Sequence, residues 1–204
     1  MNSFFQKLNT LFSDRTLRNR ILFVLFVLFI SRVLAAIPIP GINLIALEQF
    51  FANNQFFGLL NLFSGGGLSG LSIVMLGVGP YITASIIMQL LTILSPRLKA
   101  MYHEEGEAGR QRVSQYSRLL TVPLAALQAF AFITLFQKNG IIPELTSMQL
   151  MTNIAIITAG SMLLAWIGEL LSEFGIGNGV SIIIFAGIVA GLPGAVEQLA
   201  LTFT

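Results

Sequence analysis

Long apolar runs separated by short polar stretches extend through the chain. Ile21 to Ile37 is apolar except for Ser31 and Arg32; Ile73 to Leu94 and Leu119 to Phe136 carry no charge; Thr152 to Leu171 carries only Glu169, near its end. A fifth run, Val180 to Thr204, is interrupted by Pro193 and carries Glu197 late. A helix of about 20 mostly apolar residues crosses a hydrocarbon core of about 30 Å, and each run comes close to that length. The pattern predicts an all-α, polytopic membrane helix bundle with five transmembrane helices over 21–37, 73–94, 119–136, 152–171 and 180–204. A leader over 1–20 precedes the five-helix membrane unit, 21–204, and a polar connection over 95–118 joins the second and third spans. Arg15, Arg18 and Arg20 ahead of the first run, with Ala35-Ala36 after it, also fit a cleaved signal peptide. Arg32 inside the run and the long basic leader favour a retained span.

The segment ahead of the second span breaks the pattern. Residues 61–72 read NLFSGGGLSGLS, seven of twelve being Gly or Ser. It is too short to span and too apolar, with Leu62, Phe63, Leu68 and Leu71, to lie in open water. Such a segment is tolerated at membrane depth only where protein or a water-filled cavity surrounds it. It reads as a re-entrant or broken segment, or as a flexible loop on the outer face.

Composition agrees with the membrane class: 55% of the 204 residues are hydrophobic and 10% charged, against about 25% charged in soluble domains, and the mean hydropathy is +0.83. The net charge of +2 says little, but its distribution gives orientation. Lys7, Arg15, Arg18 and Arg20 precede the first span, and Arg97, Lys99, Arg110, Arg112 and Arg118 lie between the second and third. Only Lys138 lies in the loops of the other side, nine against one. The N-terminus is therefore expected in the cytoplasm and the end of the fifth span outside. Arg32, about 2.5–3.5 kcal/mol unfavourable at a helix centre, lies near the outer end of its run, where snorkelling outward is favoured over an ion-handling role.

Chemistry is sparse. There is no cysteine, the one histidine, His103, is in the 95–118 connection, and the one aspartate, Asp14, is in the leader. No apolar span holds a carboxylate pair, and no serine has a base in sequence view. No catalytic residue, metal site or cofactor is expected, and the chain is not read as an enzyme. Gly77-Val-Gly79 and Gly175-Ile-Gly-Asn-Gly179 follow no β-strand, so they are not phosphate loops; the second reads as a tight turn between helices. Ala159-Gly160-Ser161 and Ala186-Gly187 read as close helix packing. Glu104, Glu105, Glu107, Arg110 and Arg112 make a mixed-charge connector that is solvated or docks a soluble partner.

Five stretches, in order, resemble the SecY family of Sec-translocon channel subunits. They are Ile37-Pro-Ile-Pro-Gly-Ile42, Asn61-Leu-Phe-Ser-Gly-Gly66, Gly79-Pro-Tyr-Ile-Thr-Ala-Ser-Ile-Ile-Met-Gln-Leu-Leu-Thr92, Glu105-Gly-Glu-Ala-Gly-Arg110 and Gly175-Ile-Gly-Asn-Gly-Val-Ser-Ile-Ile-Ile-Phe-Ala-Gly187. Departures are small: extra glycines at Gly67 and Gly70, and Val180 where isoleucine is frequent.

The resemblance implies one half of an inverted-repeat channel. The second half, five further helices, is not in the sequence, which is then a fragment or a split subunit. It implies a multi-pass protein of the bacterial inner membrane that moves unfolded secretory proteins across it and membrane proteins into it. A secondary-transporter half with a broken helix, or a membrane assembly subunit, are the alternatives. The implied partners are SecE, SecG, the SecA motor or the ribosome, the preprotein with its signal sequence, the other half of the subunit, and lipid. The resemblance also assigns residues. The plug is 61–72, chiefly Leu62, Phe63, Ser64, Gly65, Gly66, Gly67, Leu68, Ser69 and Gly70. The pore ring contains Ile82, Ile86, Ile184 and Ile188. Spans 73–94 and 119–136 form one side of the lateral gate, with Gln128 on it, and Glu105, Glu107, Arg110 and Arg112 form a cytoplasmic partner loop. Residues four apart share a helix face, but so do other pairs: Ile87, Ile93, Ile182 and Ile183 compete with the four isoleucines on periodicity, and the choice among them rests on the motif.

Overall fold

The computed structural model describes residues 14–39, 47, 49, 50, 61, 67, 68 and 70–202, with side chains described as far as 191. Among these, six helices follow one another: α1 (Arg15–Ala35), α2 (Gly79–Leu94), α3 (Pro96–His103), α4 (Gly106–Lys138), α5 (Ser147–Phe174) and α6 (Gly179–Thr202). The fold is all-helical apart from an isolated bridge between Pro38 and Ser72.

Local chemistry sets the helix ends. Asp14 caps α1, its carboxylate accepting from Thr16 N at 2.9 Å, and Arg32 sits in the last turn, where a cation complements the helix dipole. α2 begins at Gly79-Pro80 and stops at Ser95, which is extended (φ −102°, ψ 116°). A residue preceding proline is pushed out of the helical region, so Pro96 ends α2 and starts α3 at an angle of 104°. Thr146 and Gln149 form a capping box on α5. Asn178 caps α6, its side-chain oxygen accepting from Ser181 N at 3.1 Å. Gly177, at φ +73°, supplies the left-handed turn between α5 and α6 that the glycine spacing predicted.

α5 is the hub, packing against α1, α2, α4 and α6. Small residues permit this. A Cβ on Gly160 would collide with the Ile73 carbonyl, and one on Gly179 would collide with the Gly168 carbonyl and the Leu171 side chain. One core gathers Leu68, Leu71, Met75 and Leu76 with Ile133, Phe136 and Ile157 near the Lys138 end of α4; a second gathers Val27, Val74 and Val78 with Leu164, Ile167 and Leu171.

Two sequence expectations change. The second apolar run is helical only from Gly79, because residues 73–78 are hydrogen-bonded turns. Their path is fixed by backbone bonds such as Ile73 N to Ile37 O at 3.0 Å and Gly77 N to Val74 O at 2.8 Å. The 95–118 connection is mostly helix, since α3 and the first turns of α4 occupy it. α4 and α5 are each long and apolar enough to cross a membrane, and α2 with α3 makes a third candidate if the bent pair counts as one span. Among the described residues α6 is apolar over Gly179–Gly191.

Candidate functional site

α2, α4, α5 and the start of α6 enclose an open cavity of about 880 Å³. Part of its wall is apolar: Ile82 and Ile86 from α2, Val180 and Ile184 from α6. The rest is polar, with Tyr81, Ser85, Gln89, Glu107, Ser114, Arg118, Glu169, Ser172, Glu173, Asn178 and Ser181. Three of the four isoleucines chosen from sequence therefore meet at one cavity. Ile86 is 51% exposed. Ile188, one helical turn beyond Ile184, is half-buried and is not part of this wall.

The competing isoleucines lie elsewhere. Ile183 packs against the second core and lines a separate cavity of about 220 Å³ together with Ser31, Arg32, Leu164 and Gly187. Ile93 is exposed on the outside of α2, and neither Ile87 nor Ile182 touches the larger cavity. The two residues Ile183 and Ile184 are distinguished by the cavity each lines, Ile183 the smaller and Ile184 the larger, while both pack against the second core.

An ion pair that the sequence reading missed stands in the same wall. Arg118 Nε of α4 donates to Glu169 Oε1 of α5 at 2.7 Å. The Tyr81 hydroxyl of α2 lies beside the same carboxylate and beside Ser85. Arg118 counted in the sequence only towards orientation, and Glu169 only as a charge closing an apolar run. The partners are 51 residues apart, so no local spacing announces them. The available signal was that each sits at the margin of an otherwise charge-free run, where a charge needs either water or a partner.

The described part of the glycine-rich segment is firmly packed. Leu68 is 2% and Leu71 1% exposed. Ile39 N donates to Leu71 O at 2.9 Å, which ties the segment to the stretch after α1, and Ser72 N to Gly67 O at 2.9 Å closes a turn within it. Gly67 is buried and Gly70 half-buried. Leu62, Phe63, Ser64, Gly65, Gly66 and Ser69 lie outside the described residues. Gln128 is half-buried on α4, which packs along α2. Both helices turn large apolar side chains outward: Leu90, Ile93 and Leu94 on α2, Leu119, Leu127 and Phe130 on α4.

The charged connector is ordered by its own contacts. Arg112 donates to Glu105 at 3.0 Å, and the Arg110 guanidinium lies 5.8 Å from the Tyr102 ring centroid. Gly106 takes φ +62°, and a side chain on Gly109 would collide with the Met101 carbonyl. These two glycines let α3 fold back against α4, with Arg110, Arg112, Glu105 and Glu107 all exposed.

The fold and its charge-poor helices define an all-α, multi-pass membrane protein. Solved structures share that fold. One described as "The structure of a protein conducting channel" superposes with a TM-score of 0.57 at 23% identity, covering 81% of this chain and 34% of the other. Sec61 in the canine ribosome-channel complex from the endoplasmic reticulum gives 0.57 and 23%, covering 81% and 35%. The SecY family model matches residues 72–204. Protein translocase subunit SecY of Streptomyces scabiei is 42% identical over 202 residues, 92% of this chain and 46% of that protein. The Vibrio cholerae subunit is 44% identical over 187 residues, 89% and 42%. The chain belongs to the SecY family, and it spans less than half the length of these relatives.

Proposed function

We propose that the chain forms one side of a protein-conducting channel in the bacterial cytoplasmic membrane, with its N-terminus in the cytoplasm. Unfolded secretory proteins pass through this channel, and membrane proteins leave it sideways into lipid. The observation that carries the reading is the convergence of Ile82, Ile86 and Ile184 on one cavity. A conduit for any unfolded sequence must bind none tightly, so branched apolar side chains suit its constriction. When empty, a narrow apolar ring excludes water and ions by dewetting. Ile188 completes the stripe on α6, and the other half of the ring comes from the inverted repeat.

The remaining assignments follow from this reading. The 61–72 segment is the plug, anchored in the bundle through the buried Gly67, Leu68 and Leu71. α2 and α4, with Gln128, form one side of the lateral gate, because their outward faces are apolar and can part towards lipid. The exposed connector with Glu105, Glu107, Arg110 and Arg112 receives the SecA motor or the ribosome. SecE and SecG complete the assembly. The family membership weighs against a secondary transporter, as does a cavity whose ion pair is already internally satisfied.

The test is site-specific photocrosslinking in the full-length protein with its partner subunits. A preprotein stalled during passage should crosslink to probes at 86 and 184. Probes at 93 and 183 should remain silent. Equal labelling at 183 and 184 would remove the pore assignment.

A further inference from the structure

The Arg118–Glu169 pair stands where four helices meet. Glu169 belongs to α5 and its partner Arg118 to α4, at 2.7 Å. Tyr81, beside the same carboxylate, occupies the first turn of α2, directly before Ile82. Gly168, the residue preceding Glu169, lies so close to α6 that a Cβ there would press on Val180, one turn before Ile184. The Glu169 carboxylate thus pairs with α4 and stands beside Tyr81 of α2, while the residue before it, Gly168, packs directly against α6; α4 in turn packs along α2. Glu169 has 19% of its side chain exposed against 49% for Arg118. The carboxylate is therefore the more desolvated partner and the one that needs the pairing.

We propose that the Arg118–Glu169 ion pair, with Tyr81, is a positioning latch that holds α2 and α6 with Ile82, Ile86 and Ile184 apposed in the closed channel. The proposal rests on the channel reading given above. The latch touches no passing chain. It acts by fixing the relative placement of α2, α4 and α6, so that parting α2 from its neighbours during opening requires the Tyr81–Glu169 contact to be given up. A polar node suits this role better than apolar packing, because it specifies one register and can be broken and remade without a change in buried volume. Glu107 and Glu173 line the same cavity, so Arg118 has other carboxylates within the wall to turn to when the node opens.

The test uses the full-length protein with its partner subunits in planar bilayers. Resting ion conductance is read together with disulfide formation between cysteines placed at 86 and 184. Glu169→Gln and Arg118→Gln should each raise resting conductance about fivefold, the scale of a partly exposed ion pair, and should lower the 86–184 crosslink. The reversed pair Arg118→Glu/Glu169→Arg should return both readouts towards wild type, which a merely structural role for either residue would not produce. Tyr81→Phe keeps the ion pair and loosens only the α2 arm; it should give a smaller rise and answers the question if the charge variants fail to accumulate. Ile86→Asn is the control. If it leaks while the latch variants behave as wild type, or if the reversed pair stays as leaky as the single variants, the latch falls and the channel reading stands. If Ile86→Asn is itself silent, the pore reading falls and the latch with it.

Discussion

The Ser161 hydroxyl donates to the Gly77 carbonyl at 3.0 Å, joining positions 84 residues apart at a fully buried point. The bond fixes the turns 73–78 against the middle of α5. Beside it, Gly160 lets the Ile73 carbonyl approach so closely that no side chain fits between. The start of α2, and with it the placement of Ile82, depends on this contact between an irregular segment and a helix face. In a membrane, carbonyls of a non-helical segment have no water to turn to, so Ser161 supplies what the α2 helix does not.

Two substitutions separate the bond from the close approach. Ser161→Ala leaves the Gly77 carbonyl buried without this donor and should cost about 1–3 kcal/mol. Gly160→Ala forces backbone apart and should cost as much or more, about 1–3 kcal/mol from overpacking alone. Thermal unfolding of the purified full-length complex, followed by the fluorescence of Trp166, measures both. A Gly160→Ala protein as stable as wild type would show that the 73–78 turns can move off α5 at little cost.

Apolar runs and their breaks were legible in the sequence because a bilayer forces every backbone group to bond within its own helix, and Pro and Gly mark where that fails. Gly175 to Gly179 was readable as a turn for the same reason, and Pro96 fixes the end of α2. What escaped was the helical character of 96–118. Its residues are polar, so hydropathy is silent there, and the helix is stabilised by α3 folding onto α4 through Gly106 and Gly109. The six turn residues of 73–78 escaped for the opposite reason: they are as apolar as the helix that follows, and it is their backbone bonds and the tertiary contact with Gly160 and Ser161 that distinguish them. Periodicity placed Ile82 with Ile86 and Ile184 with Ile188 but could not rank these faces above their rivals; the choice came from motif resemblance. The Arg118–Glu169 pair needed three-dimensional structure.

Orientation can be checked with exposed positions at the two ends of α4. Glu105 precedes α4 and Asn139 follows it, and both are exposed. In the full-length protein, a cysteine at 105 should react with a membrane-impermeant maleimide only from the cytoplasmic side, and one at 139 only from the outside. Labelling at 105 from outside would invert the topology drawn from the nine-to-one distribution of basic residues.

The connector offers a partner test that stability does not confound. The Arg112–Glu105 bridge has 61% and 46% of its side chains exposed, so it should contribute no more than about 1 kcal/mol. Arg110→Glu/Arg112→Glu should leave the unfolding temperature nearly unchanged. It should weaken binding of the cytoplasmic motor or ribosome at least about tenfold, an effect that diminishes as salt is raised. Unchanged binding at low salt would return this segment to the role of a solvated connector.

The pore face gives the sharpest contrast, because adjacent residues on one helix should respond in opposite ways. Ile184 lines the cavity shared with Ile82 and Ile86, whereas Ile183 lines the smaller cavity beside Ser31, Arg32 and Leu164; both are half-buried against the core of Leu164 and Leu171. Asparagine at 184 or 86 places an amide where it meets an already open space. Folding should change little, the constriction should wet, and resting conductance should rise together with tolerance of defective signal sequences. Asparagine at 183 instead faces the smaller cavity, away from the face shared with Ile82 and Ile86. It gives up part of the roughly 1.5–3 kcal/mol that full burial of an isoleucine contributes, so the expected result is a fall in protein level without a specific leak. Conductance per channel and protein level, measured on the same set of full-length variants, separate the two. A leak from Ile183→Asn at normal protein level, with Ile184→Asn silent, would turn α6 by one residue and remove Ile82 and Ile86 from the constriction with it.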